Sequence, residues 1–328
     1  MVTEILTLLA GLALVVLGAD WLVDGSSAVA RRAGLSEFVI GLTIVGIGTS
    51  SPELVVSLSG ALKGNADIAI GNVIGSNIFN TLFILGFTAL LRPVAMTRDN
   101  VRMDIPVNVA VSALLILFGM RHTLFGIGNE DILSKTDGII FLTLFAAYLY
   151  WSFKSGKSDG SEESGGGERK MWVAALMIAG GLAALIFGGD MFVDSAADIA
   201  RRLEVSDKFI AVTILAGGTS MPEFVTCVVA AAKKKGQLAL GNILGSNICN
   251  ILLILGASAL AYRPMADGAP SGLSFAGMSP VDLCALLLGA VFILITAFTG
   301  KGRKMDRMEG GVSLALFAGY MTYLFINL

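Results

Sequence analysis

The sequence predicts an all-α membrane protein of ten transmembrane helices, arranged as two inverted five-helix repeats whose helices break in mid-membrane. Three observations carry this prediction. Of 328 residues, 55% are hydrophobic and 15% charged, too few charges to clothe a soluble domain of that length. The apolar residues gather into ten runs near the roughly 20 residues that a helix needs to cross a hydrocarbon core of about 30 Å. The second half of the chain repeats the first at a constant offset of 170 residues.

The ten runs cover residues 4–23, 36–62, 68–91, 103–120, 136–153, 171–193, 207–232, 238–261, 281–299 and 309–327. The first has no Lys or Arg ahead of it, Arg31 being the earliest, so it lacks the charged start of a secretory signal and reads as a retained span. If ten spans alternate sides, the loops after the odd-numbered ones hold 16 of the 23 Lys and Arg residues. Positive charge gathers on the cytoplasmic side, which puts these loops inside and both termini outside. The lysines Lys233, Lys234 and Lys235 read as part of that signal. The net charge of -2, with no polybasic tail, gives no indication of a nucleic-acid partner.

The repeat is specific. Residues 41–53, GLTIVGIGTSSPE, share 7 of 13 positions with 211–223, AVTILAGGTSMPE, and residues 70–86 share 11 of 17 with 240–256. GADWLVD at 18–24 answers GGDMFVD at 188–194. Each copy holds five spans, an odd number, so the second enters the membrane from the opposite side, as in transporters built on inverted repeats. The expected organisation is a first repeat over 1–153, a cytoplasmic linker over 154–170 and a second repeat over 171–328. The linker is rich in Gly, Ser and charge, the composition of a flexible tether.

Glu53 and Glu223 fall near the middle of spans 2 and 7, where an ionised side chain costs about 2.5 kcal/mol or more. A bound cation, a proton or a polar cavity must compensate them. Around them Gly48, Thr49, Ser50 and Pro52, and Gly217, Gly218, Thr219, Ser220 and Pro222, favour a helix break that frees carbonyls. Irregular backbone at that depth belongs inside the bundle or on a wet cavity. The ligands so offered are oxygens only, the set that suits hard cations such as Ca2+ and Na+; zinc or copper would call for His or Cys. Spans 3 and 8 add Ser76, Asn77 and Asn80, and Ser246, Asn247 and Asn250, with Ser76 and Asn80 one helical turn apart, as are Ser246 and Asn250.

Other repeated or polar residues have plainer readings. Gly71, Gly75, Gly241 and Gly245 suit close helix packing. Asp20, Asp24, Asp190 and Asp194 sit near span ends, where they reach interfacial water or cap the next segment. Cys227, Cys249 and Cys284 lie in apolar segments without CxxC spacing and read as buried small hydrophobes. His122 belongs to a loop.

The paired GTSxPE and GNxxGSNIxN motifs, on inverted five-span repeats, resemble the cation/calcium exchanger superfamily, and archaeal and bacterial sodium/calcium exchangers in particular. The resemblance covers nearly the whole chain. It implies central ion sites whose acidic ligands match Glu53 and Glu223. The family's hydroxyl ligands match Thr49, Ser50, Thr219, Ser220, Ser76 and Ser246, its carbonyl ligands Gly46 and Ala216, and its amide positions Asn80 and Asn250. It also implies alternating access as long helices 1 and 6 slide past the motif-bearing core. Relatives that carry Asp where this chain has Asn250 include the potassium-dependent branch, so Asn250 argues against potassium co-transport. The calcium/proton branch uses a GNxTE-like motif in place of GTSxPE.

The expected function is therefore secondary antiport of Na+ against Ca2+, with acid inhibiting as the empty carboxylates take up protons. Proton-coupled or other divalent antiport, a passive cation channel and an intramembrane acid protease are the competing readings. The expected partners are Ca2+ and Na+ as substrates and the lipid bilayer, without a resident cofactor, nucleic acid or enzymatic activity; a monomer is compatible with all of this.

Overall fold

The computed structural model describes residues 2–156, 170–203, 216–264, 270–299 and 302–327. Most of the expected linker and the first third of the expected seventh span, residues 207–215, lie outside these residues.

Helix α1 runs Val2–Ala33. A bent span follows, α2 (Glu37–Thr49) and α3 (Ser51–Leu62), and then α4 (Ala66–Leu91), α5 (Asn100–Gly119), the short α6 (Arg121–Phe125) and α7 (Lys135–Ser155). In the second half come α8 (Met171–Arg202), α9 (Ala216–Gly218), α10 (Met221–Ala232), α11 (Gly236–Ala261), α12 (Pro280–Thr296) and α13 (Arg307–Asn327). Among the described residues seven helices are long and apolar enough to cross a bilayer, eight when the bent pair is taken as one span. The shorter apolar helices α10 and α12 stand where the seventh and ninth spans are expected. At 17 residues, α12 is about 25 Å long.

Packing divides the chain into two compact units, Met1–Pro52 with Trp151–Gly245 and Glu53–Tyr150 with Ser246–Leu328. Each unit draws on both sequence halves, so the packing units and the sequence repeats cut the chain differently.

In the first unit α1 and α8 lie antiparallel along a glycine seam. A Cβ on Gly11 would stand 2.8 Å from the Gly188 carbonyl oxygen, and one on Gly188 would stand 2.9 Å from that of Gly11. Gly18 and Gly181 exclude each other's side chains in the same reciprocal way, each 2.7 Å from the other's carbonyl. The seven-residue spacing of these glycines keeps one bare stripe facing the partner helix over two turns per step. The same device joins α2 to α11: Cβ atoms on Gly241 and Gly245 would come within 2.2 Å of the Phe38 carbonyl and 2.1 Å of that of Leu42. The packing role expected for Gly241 and Gly245 is thus observed. Gly71 and Gly75 approach no described backbone so closely.

The lysine run does more than mark topology. Lys233 pairs with Asp20 and Asp24, each at 2.6 Å, and Lys235 donates to Ser27 at 2.6 Å and lies 3.9 Å from Glu37. Burial works against the Lys233 ammonium, but its bonds to the two aspartates outweigh that and hold its pKa above the ordinary lysine value. Asp20 and Asp24 therefore serve as ion-pair partners in place of the expected caps.

In the second unit two short antiparallel pairings join loops. Strand β1 (Val94–Ala95) pairs with β4 (Lys304–Met305), and β2 (Ile132–Leu133) with β3 (Leu273–Ser274). A strict all-α reading missed these, because two-residue strands carry no periodicity. Matching caps start α5 and α12: Thr97 and Asn100 exchange bonds, as do Ser279 and Asp282 in a capping box. Tyr148 then donates to Asp104 at 3.0 Å and Tyr320 to Asp282 at 2.8 Å.

One turn is strained in only one copy. After α3 the chain turns through Gly64 at φ 67°; at the equivalent turn after α10 it does so through Lys234 at φ 65°. A side chain in the left-handed region costs about 1 kcal/mol or more, part of which glycine gives back in unfolded-chain entropy. Lys234→Gly is expected to raise stability by about 0.5 kcal/mol, read as a higher unfolding temperature in detergent; Gly245→Val is expected to lower it sharply.

Candidate functional site

The two GTSxPE segments break their helices at the same point. Helix α2 ends at Thr49, Ser50 adopts φ −78°, ψ 9°, and α3 leaves at 48° to α2. In the second copy Ser220, at φ −89°, ψ 11°, precedes α10. Pro52 and Pro222 force this, since each lacks an N–H and its ring crowds the carbonyl four residues back. That carbonyl belongs to Gly48 or Gly218, where a Cβ would stand 2.8 Å from Leu182 or 2.7 Å from Val193. Glycine thus leaves room for the Leu182 and Val193 side chains of α8 beside the breaks.

In the first unit Thr49, Ser50, Ser220 and Glu223 are buried. Ser50 Oγ donates to Glu223 Oε1 at 3.1 Å, so the hydroxyl of one repeat meets the carboxylate of the other. Thr49 Oγ1 lies 3.0 Å from the Val45 carbonyl, 3.4 Å from that of Gly46 and 3.2 Å from Asn242 Oδ1, three acceptors for its single proton. The Gly46 carbonyl accepts from the Ser50 N–H at 3.2 Å. Thr219 Oγ1 is shielded from solvent and has no hydrogen-bond partner among the described residues. Ala216 opens α9, and its side chain lies outside the described set.

In the second unit Glu53, Ser76, Asn77, Asn80, Ser246, Asn247 and Asn250 are all buried. Ser76 Oγ donates to Glu53 Oε1 at 3.5 Å. Asn80 lies in a π-helical stretch over Phe79–Ile84, within α4, and Asn250 in another over Asn250–Leu255, within α11. Such bulges insert an extra residue per turn and recur at functional sites. Asn80 donates to Asn247 Oδ1 at 3.2 Å, and Asn250 to Asn77 Oδ1 at 2.9 Å. The Oδ1 atoms of Asn80 and Asn250 are buried and accept no hydrogen bond among the described residues. A buried oxygen left so costs about 1–3 kcal/mol unless something else fills it. The second unit thus holds two buried amide oxygens that accept no hydrogen bond among the described residues, in the same unit as the Glu53–Ser76 pair.

Sequence reasoning missed two residues. Asn72 donates to the Glu53 carbonyl at 3.2 Å and to Ser57 Oγ at 2.9 Å. Its counterpart Asn242 donates to Cys227 Sγ at 3.3 Å, Cys227 standing where the first copy has Ser57. The signal was available, since this Asn is the second letter of each GNxxGSN motif. Cys227 and Cys249 are buried as expected, but Cys284 is exposed on α12, a correction to the reading of all three as buried. Its apolar neighbours in sequence gave no sign of which helix face it occupies. His122, expected in a loop, lies instead in the short helix α6, its Nδ1 3.0 Å from the Gly128 carbonyl. No group of three or more His, Cys, Asp or Glu side chains that could hold a metal occurs among the described residues. The candidate ligands are in the main neutral oxygens, which such a grouping does not include.

A sequence profile described as "Sodium/calcium exchanger protein" matches residues 3–154 and 173–326. The chain belongs to the sodium/calcium exchanger family. It is similar to a putative antiporter, CaxA, of Alkalimonas amylolytica, with 34% identity over 99% of both chains. It is also similar to the sodium/calcium exchanger MaX1 of Methanosarcina acetivorans, with 32% identity over 98% of both, and more distantly to a Ca2+/H+ antiporter of Aphanothece halophytica, with 25% identity over 88% of this chain and 82% of that one. Among solved structures, the sodium-calcium exchanger NCX_Mj soaked with 10 mM Na+ and zero Ca2+ superposes with a TM-score of 0.80, at 31% identity and 98% coverage of both chains. As a member of this family the chain is a multi-pass membrane protein.

The Asn72 and Asn242 bonds carry a prediction. Asn72→Leu removes the donor to both the Glu53 carbonyl and Ser57 Oγ and is expected to cost about 1 kcal/mol of stability, measured by thermal unfolding in detergent. Cys227→Ser, which copies the Ser57 arrangement and offers Asn242 a stronger acceptor, is expected to hold the unfolding temperature or raise it.

Proposed function

We propose that the protein is a secondary active antiporter that exchanges Na+ for Ca2+ by alternating access, its transported ions held by the oxygen clusters around Glu53 and Glu223. The observation that carries this reading is the repeated delivery of buried oxygens to a helix break. Each copy supplies a carboxylate, and a serine hydroxyl of the first copy bonds to each of them, Ser50 to Glu223 and Ser76 to Glu53. Thr219, Asn80 and Asn250 add oxygens that lack a hydrogen-bond partner among the described residues. Such a set of hydroxyls, amide oxygens and carboxylates suits hard cations. Thr49, Ser220, Ser246 and the main chain at Gly46 and Ala216 complete the proposed ligand set.

Sodium is the coupling ion in this reading, because the chain carries GTSxPE and stands closer to the sodium/calcium exchanger of Methanosarcina acetivorans than to the Ca2+/H+ antiporter of Aphanothece halophytica. With Asn250 neutral, Glu53 and Glu223 when ionised carry two negative charges in all, equal in size to the charge of one Ca2+. Three Na+ would leave one positive charge to cross, coupling the cycle to voltage by about 2.3 kcal/mol per 100 mV.

Ten spans in two inverted repeats are part of the proposal. The reciprocal Gly11–Gly188 and Gly18–Gly181 contacts support it, since residues 170 apart trade places across the seam. So does the joining of loops that alternation puts on one side, those after spans 3 and 9 by β1 and β4 and those after spans 4 and 8 by β2 and β3. The excess of Lys and Arg in odd-numbered loops supports external termini and a cytoplasmic linker.

The test is Ca2+ uptake into proteoliposomes loaded with Na+, against vesicles given only a proton gradient. The Na+ gradient alone is expected to drive uptake, and an inside-positive potential to accelerate it, because each cycle carries one net positive charge out of the vesicle. Losing a charged ligand costs about 3 kcal/mol, so Glu53→Gln and Glu223→Gln are each expected to cut uptake about 100-fold. Uptake driven by the proton gradient without Na+ would establish the Ca2+/H+ reading instead, and full activity in either variant would remove the carboxylates from the mechanism.

A further inference from the structure

Asn77 and Asn247 take no part in the ligand set proposed above, yet they determine which atoms Asn250 and Asn80 present. The argument starts from a main-chain carbonyl, which can only accept a hydrogen bond. The carbonyl of Asn247 lies 3.1 Å from the Asn77 amide nitrogen, which must therefore be Nδ2. Asn77 Oδ1 is then turned to Asn250, 2.9 Å away, where only a donor fits. Asn250 must present Nδ2 there, and its own Oδ1 points elsewhere, buried and without a hydrogen-bond partner among the described residues.

The other copy holds the same pattern of bonds, anchored on a hydroxyl, which can donate or accept, in place of a carbonyl. Asn247 Nδ2 donates to Thr81 Oγ1 at 2.8 Å, and Asn247 Oδ1 accepts from Asn80 Nδ2 at 3.2 Å, leaving Asn80 Oδ1 in the same unfilled state. A side-chain amide is nearly symmetric in shape, so nothing but its hydrogen bonds decides whether oxygen or NH2 faces a given direction. Facing a cation, one is a ligand and the other repels.

We propose that Asn77 and Asn247 are positioning residues: they hold the amides of Asn250 and Asn80 with oxygen outward, so that these side chains can coordinate a hard cation. This rests on the cation-binding reading above. Outer partners that orient metal ligands typically govern affinity by about 10–100-fold.

The experiment follows the unfolding temperature of the purified full-length protein in detergent as Ca2+ is added, which reads binding without transport. The wild type is expected to show a saturable rise. Asn77→Leu, which removes the acceptor for Asn250, is expected to move the Ca2+ midpoint upward about tenfold. In Asn250→Ala the ligand itself is gone, so adding Asn77→Leu to it is expected to weaken binding no further. A merely structural role for Asn77 would lower the ion-free unfolding temperature and leave the two effects additive. Should Asn77→Leu fail to fold, Asn247→Ala with Asn80→Ala gives the same cycle on the other copy. An unchanged midpoint in the Asn77 or Asn247 variant, or additive double variants, would overturn the positioning role. No Ca2+-dependent rise in the wild type would overturn the cation-binding reading itself, and this inference with it.

Discussion

A helix that crosses a membrane must satisfy its own backbone, because hydrocarbon offers no water to do so. This protein interrupts that pattern at Ser50 and Ser220, and much of its interior follows from the repair. Asn72 reaches from α4 to the Glu53 carbonyl, Thr49 turns its hydroxyl back on Val45, and the Ser50 N–H returns to Gly46. Glycines at 48 and 218 let α8 close over the breaks. The polar groups gathered at two interrupted helices are of the same oxygen-rich kind that the proposed cation sites call for, and Thr49 and the Gly46 carbonyl belong to both.

What the sequence disclosed is tied to composition and repetition. The spans are visible as runs of apolar residues, and the motif residues as polar letters copied at a fixed offset. The π-helical stretches around Asn80 and Asn250 were not visible, since one extra residue per turn changes no letter in an apolar helix. Nor was the division into packing units, which depends on which helices touch rather than on which were duplicated. Lys233 was legible as a charge and illegible as the partner of Asp20 and Asp24, which lie more than 200 residues earlier. Asn72 and Asn242 were in plain view inside a motif whose serines and later asparagines drew attention first.

The two copies are close but unequal. Ser57 answers to Cys227, Gly64 to Lys234 and Thr81 to Ile251, and each substitution alters a bond or a dihedral described above. On the inverted-repeat reading, identical halves would make the inward-facing and outward-facing forms mirror equivalents of equal energy. A preference for one form then has to originate at positions where the copies differ, and these three are internal candidates whose local chemistry is known.

The bare seam between α1 and α8 has a mechanical corollary. Backbones held this near, with carbonyls seated where side chains would stand, cannot slip by part of a turn without collision, so the pair behaves as one stiff double strut. A push received at either rim of the bilayer would be delivered whole to the opposite rim, with little lost to bending or shear along the way.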